Sequence, residues 1–369
     1  MMKVCLVLPT TNPGGSENYA LRFAKKYNQH IDFVVVSKSK TKGTLYEQFE
    51  RLGIPVHNTS TGYVDFKKLY GFYRFLKFHQ FDAVCDLTGI FAGLTMAASK
   101  WAGVRKRVAM FRRSTYAFEP TRFKLWYARF QKRLVLNYAT AVLSNSEYAL
   151  DNFYPRVAWR KQPEKFAVIR NGINRYDFTQ QQPKHVAKQK LSLPESFFVI
   201  GHVGRFDPAK NHEVIFKVGN RLKSRGVNVQ LVFCGFQTDS DEFMRKLHEY
   251  GIENITKAIG THDDVVGVLS AFDLFYFPSI TEGQPNALLE AMIAGIPVLP
   301  SNIPSIREVI PESEHGKLLE PHNVREAESR IYECIKDPKK LEQYKFQEWA
   351  VNKFDAETNF KAFYDALHQ

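Results

Sequence analysis

Short apolar runs alternate with helix-forming stretches along the whole of this chain, and that alternation is the mark of parallel α/β sheets. In the first half the expected strands are residues 3–8, 31–37, 83–86, 107–111, 141–144 and 166–169. Expected helices lie between them at 16–27, 44–52, 66–78, 89–102 and 123–137. A second series opens at 197–203 and continues with strands at 230–234, 255–259, 274–277 and 298–300. The sequence contains no internal repeat and no low-complexity tract.

A chain of 369 residues is too long for one usual core, so two domains are expected. The stretch 175–193 is polar, with Gln180-Gln181-Gln182-Pro183 and several lysines, and reads as a linker. Apolar content of 44% supports a folded globular protein. No apolar run approaches the roughly 18–20 residues that span a bilayer. The run Val4 to Leu8 closes at Pro9; it is too brief for a signal sequence and reads as a first strand, which makes export an unfavoured reading. Cys5, Cys85, Cys234 and Cys334 are scattered without a C-x-x-C pair, so they read as buried reduced thiols of a cytoplasmic protein.

The segment most suggestive of chemistry follows the apolar run Leu274 to Phe277. It reads Pro278-Ser279-Ile280-Thr281-Glu282-Gly283-Gln284-Pro285-Asn286-Ala287-Leu288-Leu289-Glu290-Ala291-Met292. A Gly/Pro loop that opens a helix makes an anion site, because backbone N–H groups and the helix dipole converge on one spot. Glu282 and Glu290 flank that spot. Carboxylates repel phosphate and would instead grip hydroxyls beside it, as in a nucleotide sugar.

This stretch resembles the retaining glycosyltransferases of group 1, which have the GT-B fold. Their pattern E-G-x-P-x-x-x-x-E-A-M, then G-x-P-V, stands here as Glu282-Gly283-Gln284-Pro285, Glu290-Ala291-Met292 and Gly295-Ile296-Pro297-Val298. The likeness is strongest over 197–310 and weaker but continuous over the first half. It implies two Rossmann-like doubly wound domains facing across a cleft, with ligand at the carboxyl ends of both sheets. The boundaries expected are 1–178 for an acceptor-binding domain, 179–194 for the linker and 195–345 for a nucleotide-sugar-binding domain. Residues 346–369 would be a helix crossing back to the first domain.

A second motif is Gly204-Arg205-Phe206-Asp207-Pro208-Ala209-Lys210-Asn211-His212, directly after a strand. By the resemblance, Arg205 and Lys210 both reach the donor diphosphate. Fixed cations there would favour the transition state, in which the leaving phosphate gains charge. Asn12-Pro13-Gly14-Gly15-Ser16-Glu17 resembles the family's G-G-x-E turn, where Gly14 and Gly15 let the backbone approach the donor. Glu17 itself reads as a charge for the first helical turn. Asp239-Ser240-Asp241 looks like a D-x-D metal motif, but it lies far in sequence from the glutamate loop and reads as a solvated acidic turn. No metal is expected.

Two departures stand out. Many relatives carry a cleft histidine where this chain has Arg112-Arg113-Ser114, so Arg112 and Arg113 are candidates for contact with an anionic donor sugar or acceptor. Relatives often have G-x-G where Gly235-Phe236-Gln237 stands.

The net charge of +13 is unevenly divided: residues 1–190 hold 32 Lys/Arg against 12 Asp/Glu, whereas 191–369 hold 19 against 26. Such asymmetry concerns partners rather than fold. Residues 105–133 concentrate Arg105, Lys106, Arg107, Arg112, Arg113, Arg122, Lys124, Arg129, Lys132 and Arg133. Phe111, Tyr116, Phe118, Phe123, Trp126, Tyr127 and Phe130 interleave with them. Basic residues among aromatics suit an anionic membrane surface or nucleic acid; beside the transferase motifs, a membrane-borne acceptor fits better and nucleic acid is not expected. The same composition also suits a solvated helix face with its aromatics in the core.

The expected activity is sugar transfer from a nucleotide-diphosphate sugar, a UDP-sugar above others, to a hydroxyl of a glycan or lipid-linked acceptor in bacterial surface-polysaccharide assembly. Arg205, Lys210 and Glu282 are the expected catalytic residues. Donor contacts are expected from Gly14, Gly15, Gly204, Gly283, Gln284, Pro285, Asn286, Ala287 and Glu290. No cofactor is implied. The expected location is the cytoplasm, with peripheral contact at the inner face of the plasma membrane. A GT-B epimerase or phosphorylase, a basic nucleic-acid-binding protein and a catalytically silent partner subunit are the competing readings.

Overall fold

Strand β1, Met2–Leu8, is buried on both faces over Val4 to Leu8, as its uninterrupted apolar run requires. It is an interior strand of the first sheet of the protein, whose structure here is a computed structural model describing residues 1–59, 65–116, 119, 121–179 and 182–368. The chain forms two compact units, Met1–Gly172 with Glu357–Gln369, and Ile173–Ala356.

In the first unit β2 is Ile31–Ser37, β3 Val56–Asn58, β4 Ala83–Asp86, β5 Lys106–Phe111, β6 Ala141–Ser144 and β7 Phe166–Val168. The paired strands run parallel in the order β3-β2-β1-β4-β5-β6-β7. Val4 sits opposite Phe33 on one side and Ala83 on the other. The order reverses between β1 and β4, the point at which doubly wound sheets open a crevice. Right-handed crossovers put helices Gly15–Tyr27 and Leu45–Arg51 on one face of the sheet. Helices Phe66–His79, Gly93–Trp101 and Arg122–Tyr138 cover the other.

The second unit holds β8 Phe198–Val203, β9 Val229–Cys234, β10 Thr256–Ala258, β11 Leu274–Phe277 and β12 Val298–Pro300. They pair in parallel as β10-β9-β8-β11-β12, so the order reverses between β8 and β11. All four cysteines are buried thiols.

The tertiary structure revises three expectations. The stretch read as a linker is part of the second unit. Gln180 and Gln181 lie outside the described residues, but Lys184–Lys190 is a helix, and Ala187 and Leu193 enter the same core as Phe272. Two of the lysines that made it look solvated are fixed: Lys184 and Lys188 both bind Asp273, at 2.8 and 3.1 Å. The unit also begins earlier than expected, because Ile173 and Phe178 are buried in its core. The C-terminal stretch is two helices rather than one. Gln347–Lys353 stays in the second unit, where Ala350 and Phe354 join the core. Ala356–His368 follows a break at Phe354-Asp355, where Ile173 N–H bonds Phe354 O at 2.9 Å. Phe360 and Phe363 of that last helix pack on Tyr19 and Phe23. No described helix is long and apolar enough to cross a membrane.

Candidate active site

Two loops leave the carboxyl ends of β8 and β11, neighbouring strands at the reversal point of the second sheet. The β8 loop turns at Gly204, whose N–H bonds Cys234 O at 2.8 Å. A side chain at Gly235 would lie 2.3 Å from Gly204 O, so the two chain ends meet backbone to backbone. Asp207 then caps a 3-10 turn, Pro208–Lys210, by accepting from Ala209 N–H at 2.9 Å. Asn211 follows in the left-handed conformation, φ 57°. That conformation sends its side chain across the site: Nδ2 donates to Pro278 O at 3.1 Å and to Pro321 O at 2.8 Å. Ile280 N–H closes the junction on Ala209 O at 2.9 Å.

These bonds bring together charges that lie 72 positions apart in sequence. Lys210 Nζ is 2.5 Å from Glu282 Oε1, and the two side chains are only 18% and 11% exposed. The ammonium also lies 5.1 Å from the centre of the Phe277 ring. Lys210, expected to reach a donor diphosphate, is paired here with a carboxylate. The loop junction holds it against the carboxylate. Arg205 is the exposed partner, its side chain 54% accessible and its Nε 3.2 Å from Asp207 Oδ2.

Past Glu282, Gly283 and the buried Gln284, Pro285 stands at the N-cap of helix Asn286–Ile293. Leu289 N–H makes the first bond within that helix, to Pro285 O at 3.1 Å. Asn286, Ala287 and the loop thus sit at the positive end of the dipole. Glu290 is half-buried one turn on, on the face of Asn286.

Two histidines that the sequence reading did not single out support the lysine loop. His202 Nδ1 donates to Tyr276 O at 3.0 Å. Its ring lies against that of His212, centroids 4.8 Å apart. Burial drives both below the ordinary histidine value, His202 to about 4 and His212 to about 2, with the Lys210 charge acting in the same direction. A histidine inside an apolar strand and another at a helix start were the available signals.

In the first unit, Gly14 caps helix Gly15–Tyr27 in extended conformation. A side chain at Gly14 would collide with the Glu17 carboxylate at 2.5 Å, so this glycine makes room for an acid at the helix start. Gly15 faces open space. Arg112 lies under the helix start. It is 8% exposed and stacks on Tyr19 at 4.0 Å, with Nη2 bound to Asn171 Oδ1 at 2.6 Å and Gly15 O at 3.3 Å. Its Nε and Nη1 have no partner among the described residues. Burial lowers it to about 10, so it stays cationic at neutral pH. Arg113, its neighbour, is exposed. A buried clamp joins β2 and β4 beside β1: Lys38 binds Asp86 at 2.7 Å, Thr88 Oγ1 and Phe91 O.

Asp239, Ser240 and Asp241 have architectural positions. Ser240 caps helix Asp241–Glu249, Asp241 lies in its first turn, and the Asp239 carboxylate fills the space a side chain at Gly260 would need.

The family model for glycosyl transferases group 1 matches residues 183–347, and that for glycosyltransferase family 4 matches 13–175. The capsular polysaccharide biosynthesis glycosyltransferase CapH of Staphylococcus aureus is 30% identical over 317 residues, 84% of each chain. The UDP-Gal:alpha-D-GlcNAc-diphosphoundecaprenol alpha-1,3-galactosyltransferase of Escherichia coli is 28% identical over 275 residues, 70% of this chain and 68% of its own. Among solved structures, Anabaena Alr3699/HepE in complex with UDP and glucose superposes with a TM-score of 0.83 at 21% identity, covering 100% of both chains. With the lysine and glutamate loops joined at the reversal point of the second sheet, these likenesses make the chain a member of the group-1 glycosyltransferases, of GT-B fold.

Proposed function

We propose that the chain moves a sugar from a UDP-sugar to a hydroxyl of a lipid-linked glycan acceptor, with retained anomeric configuration, during assembly of a bacterial surface polysaccharide. The capsule enzyme and the diphosphoundecaprenol-dependent galactosyltransferase among its relatives support that acceptor class. The neighbour in complex with UDP supports the donor.

The observation that carries the reading is the junction of the β8 and β11 loops. It collects Arg205, Lys210, Glu282 and the start of helix Asn286–Ile293 in one unit. The dipole and the two cations would take the diphosphate, and Glu290 would accept from the ribose diol. The backbone from Gly204 and from Gly283 to Ala287 would line the donor. As donor binds, the Lys210 ammonium would turn from Glu282 toward phosphate, freeing the carboxylate to orient the sugar. Departure of the sugar raises charge on the outer phosphate, and fixed cations then stabilise the transition state more than the ground state. In the first unit, Gly14 and Gly15 would let a ligand come close to the backbone, and Arg112 and Arg113 would meet an anionic group. The charge stabilisers are side chains and backbone, so we propose a metal-independent reaction at the inner face of the plasma membrane.

A thermal-shift panel of UDP-, GDP-, ADP- and dTDP-sugars, with excess EDTA throughout, tests the donor. A ligand at about 100 times its dissociation constant adds roughly 2.7 kcal/mol of stability. The expected result is a shift with a UDP-sugar that EDTA leaves intact; no shift with any of the four would overturn the reading.

A further inference from the structure

The three helices on one face of the first sheet, Phe66–His79, Gly93–Trp101 and Arg122–Tyr138, contain ten Lys/Arg and not one Asp or Glu. They form one layer, the middle helix packing against both others. Their outer surface is as unusual in its apolar side chains. Phe66, Tyr70, Phe78, Trp101, Phe123 and Trp126 are all exposed, Phe78 to 83% and Phe123 to 66%.

Helix Arg122–Tyr138 is the most ordered part of this surface. Phe123, Trp126 and Phe130 fall at i, i+3 and i+7 and form a continuous stack, with centroids 6.0 and 6.1 Å apart. Arg122, Arg129 and Arg133 are exposed on the same helix. Toward the other edge, Phe66, Leu69, Tyr70, Tyr73 and Trp101 line a shallow apolar groove of about 340 Å³. The bordering carboxylate Asp65 is already bound to Lys68 at 3.0 Å.

Apolar rings in water are unfavourable, and clustered cations repel one another. A single partner relieves both: a surface of anionic headgroups over an acyl interior. Cations would meet the headgroups, and aromatic rings would sit at the headgroup level, where they are favoured. A nucleic acid fits less well, because these rings stack on one another along a helix and leave no slots between them for bases.

We infer that this helical layer is a membrane-docking face whose partner is an anionic lipid bilayer, bound without a spanning segment. The inference deepens the reading of a lipid-borne acceptor by naming the face that meets the membrane.

The experiment is sedimentation of the full chain with vesicles of pure phosphatidylcholine, or with about 30% phosphatidylglycerol, at low and high salt. Binding is expected on the anionic vesicles alone and should weaken at high salt, where charge is screened beyond a few ångströms. The triple variant Arg122→Gln/Arg129→Gln/Arg133→Gln should bind about a hundredfold more weakly. Phe123→Ser/Trp126→Ser should lose roughly tenfold or more while keeping the native melting temperature. Equal binding to both vesicle types, no binding, wild-type binding by either variant, or retention on polyuridylate with none on vesicles would each overturn the inference. Vesicle binding requires no turnover. A chain that sediments but transfers no sugar would fail only as a transferase, and one that transfers sugar to a soluble acceptor but never sediments would fail only here.

Discussion

Lys210 Nζ and Glu282 Oε1 stand 2.5 Å apart on the two loops that leave adjacent strands β8 and β11. The pair links two roles. It fastens one loop to the other, and it stores a cation and a carboxylate where the donor is proposed to bind. Lys210→Ala would remove this ion pair from a site with little exposure. It should cost about 1–3 kcal/mol of stability in urea unfolding and lower turnover by about 10²–10³. Arg205→Ala should lower turnover to a similar extent but change stability by less than about 0.5 kcal/mol, because that side chain is half in solvent. Near-normal turnover in either variant would remove that residue from the site.

The two glutamates should separate in binding experiments. Glu290→Gln should weaken UDP itself, measured by titration calorimetry, through loss of the charged acceptor for the ribose hydroxyls. Glu282→Gln should leave UDP affinity within about twofold yet reduce use of the whole donor. Unchanged UDP affinity in Glu290→Gln would show that the ribose is held elsewhere.

Asn211 should matter out of proportion to its size. Its side chain spans from the β8 loop to Pro278 and Pro321, and its backbone is left-handed. Asn211→Ala loses two hydrogen bonds and adds backbone strain, for a cost of about 2–3 kcal/mol. Asn211→Gly removes the strain but not the lost bonds, so it should recover part of the stability and little of the turnover. Full turnover in Asn211→Gly would mean the bridge does not position Lys210.

Acid should unfold the second unit through its buried histidines. In the folded chain burial holds His202 down to about 4 and His212 to about 2, against an ordinary 6.5. The unfolded chain therefore binds more protons than the folded one as pH falls below about 6.5. This contribution to stability is complete above that value and declines toward pH 4, by as much as about 3 kcal/mol per pH unit for the pair. His212 has no partner for either ring nitrogen among the described residues and is surrounded by Phe206, Phe216, Phe233 and Phe243. His212→Phe should keep the fold and roughly halve the slope. Urea midpoints at pH 7.5, 6 and 5 would read it, and an unaltered slope would exclude His212 as a source.

Apart from β3, the sequence by itself determined the strand series of both sheets, the glycine turns at Gly14 and Gly204, and the loop–helix start at Pro285. Each is written locally, in an apolar run or a turn residue whose backbone preference acts within a few positions. It also supplied the basic, aromatic character of residues 122–133. Short β3, Val56–Asn58, was missed because Val56 stands alone between Pro55 and the polar His57 and Asn58, with no apolar run to mark it. Tertiary structure decided what local pattern could not. Lys184 and Lys188 looked solvated until Asp273, from a distant strand end, fixed them. Arg112 looked like a surface cation until burial beneath the start of helix Gly15–Tyr27 put it on Tyr19. Lys210 and Glu282 each read as a ligand group, but their pairing depends on β11 lying beside β8, two strands that are not consecutive in the chain. Strand order comes from how sheets close over their cores. It brings loop ends together across long sequence separations, and so it alone determined which charges in this site already have partners.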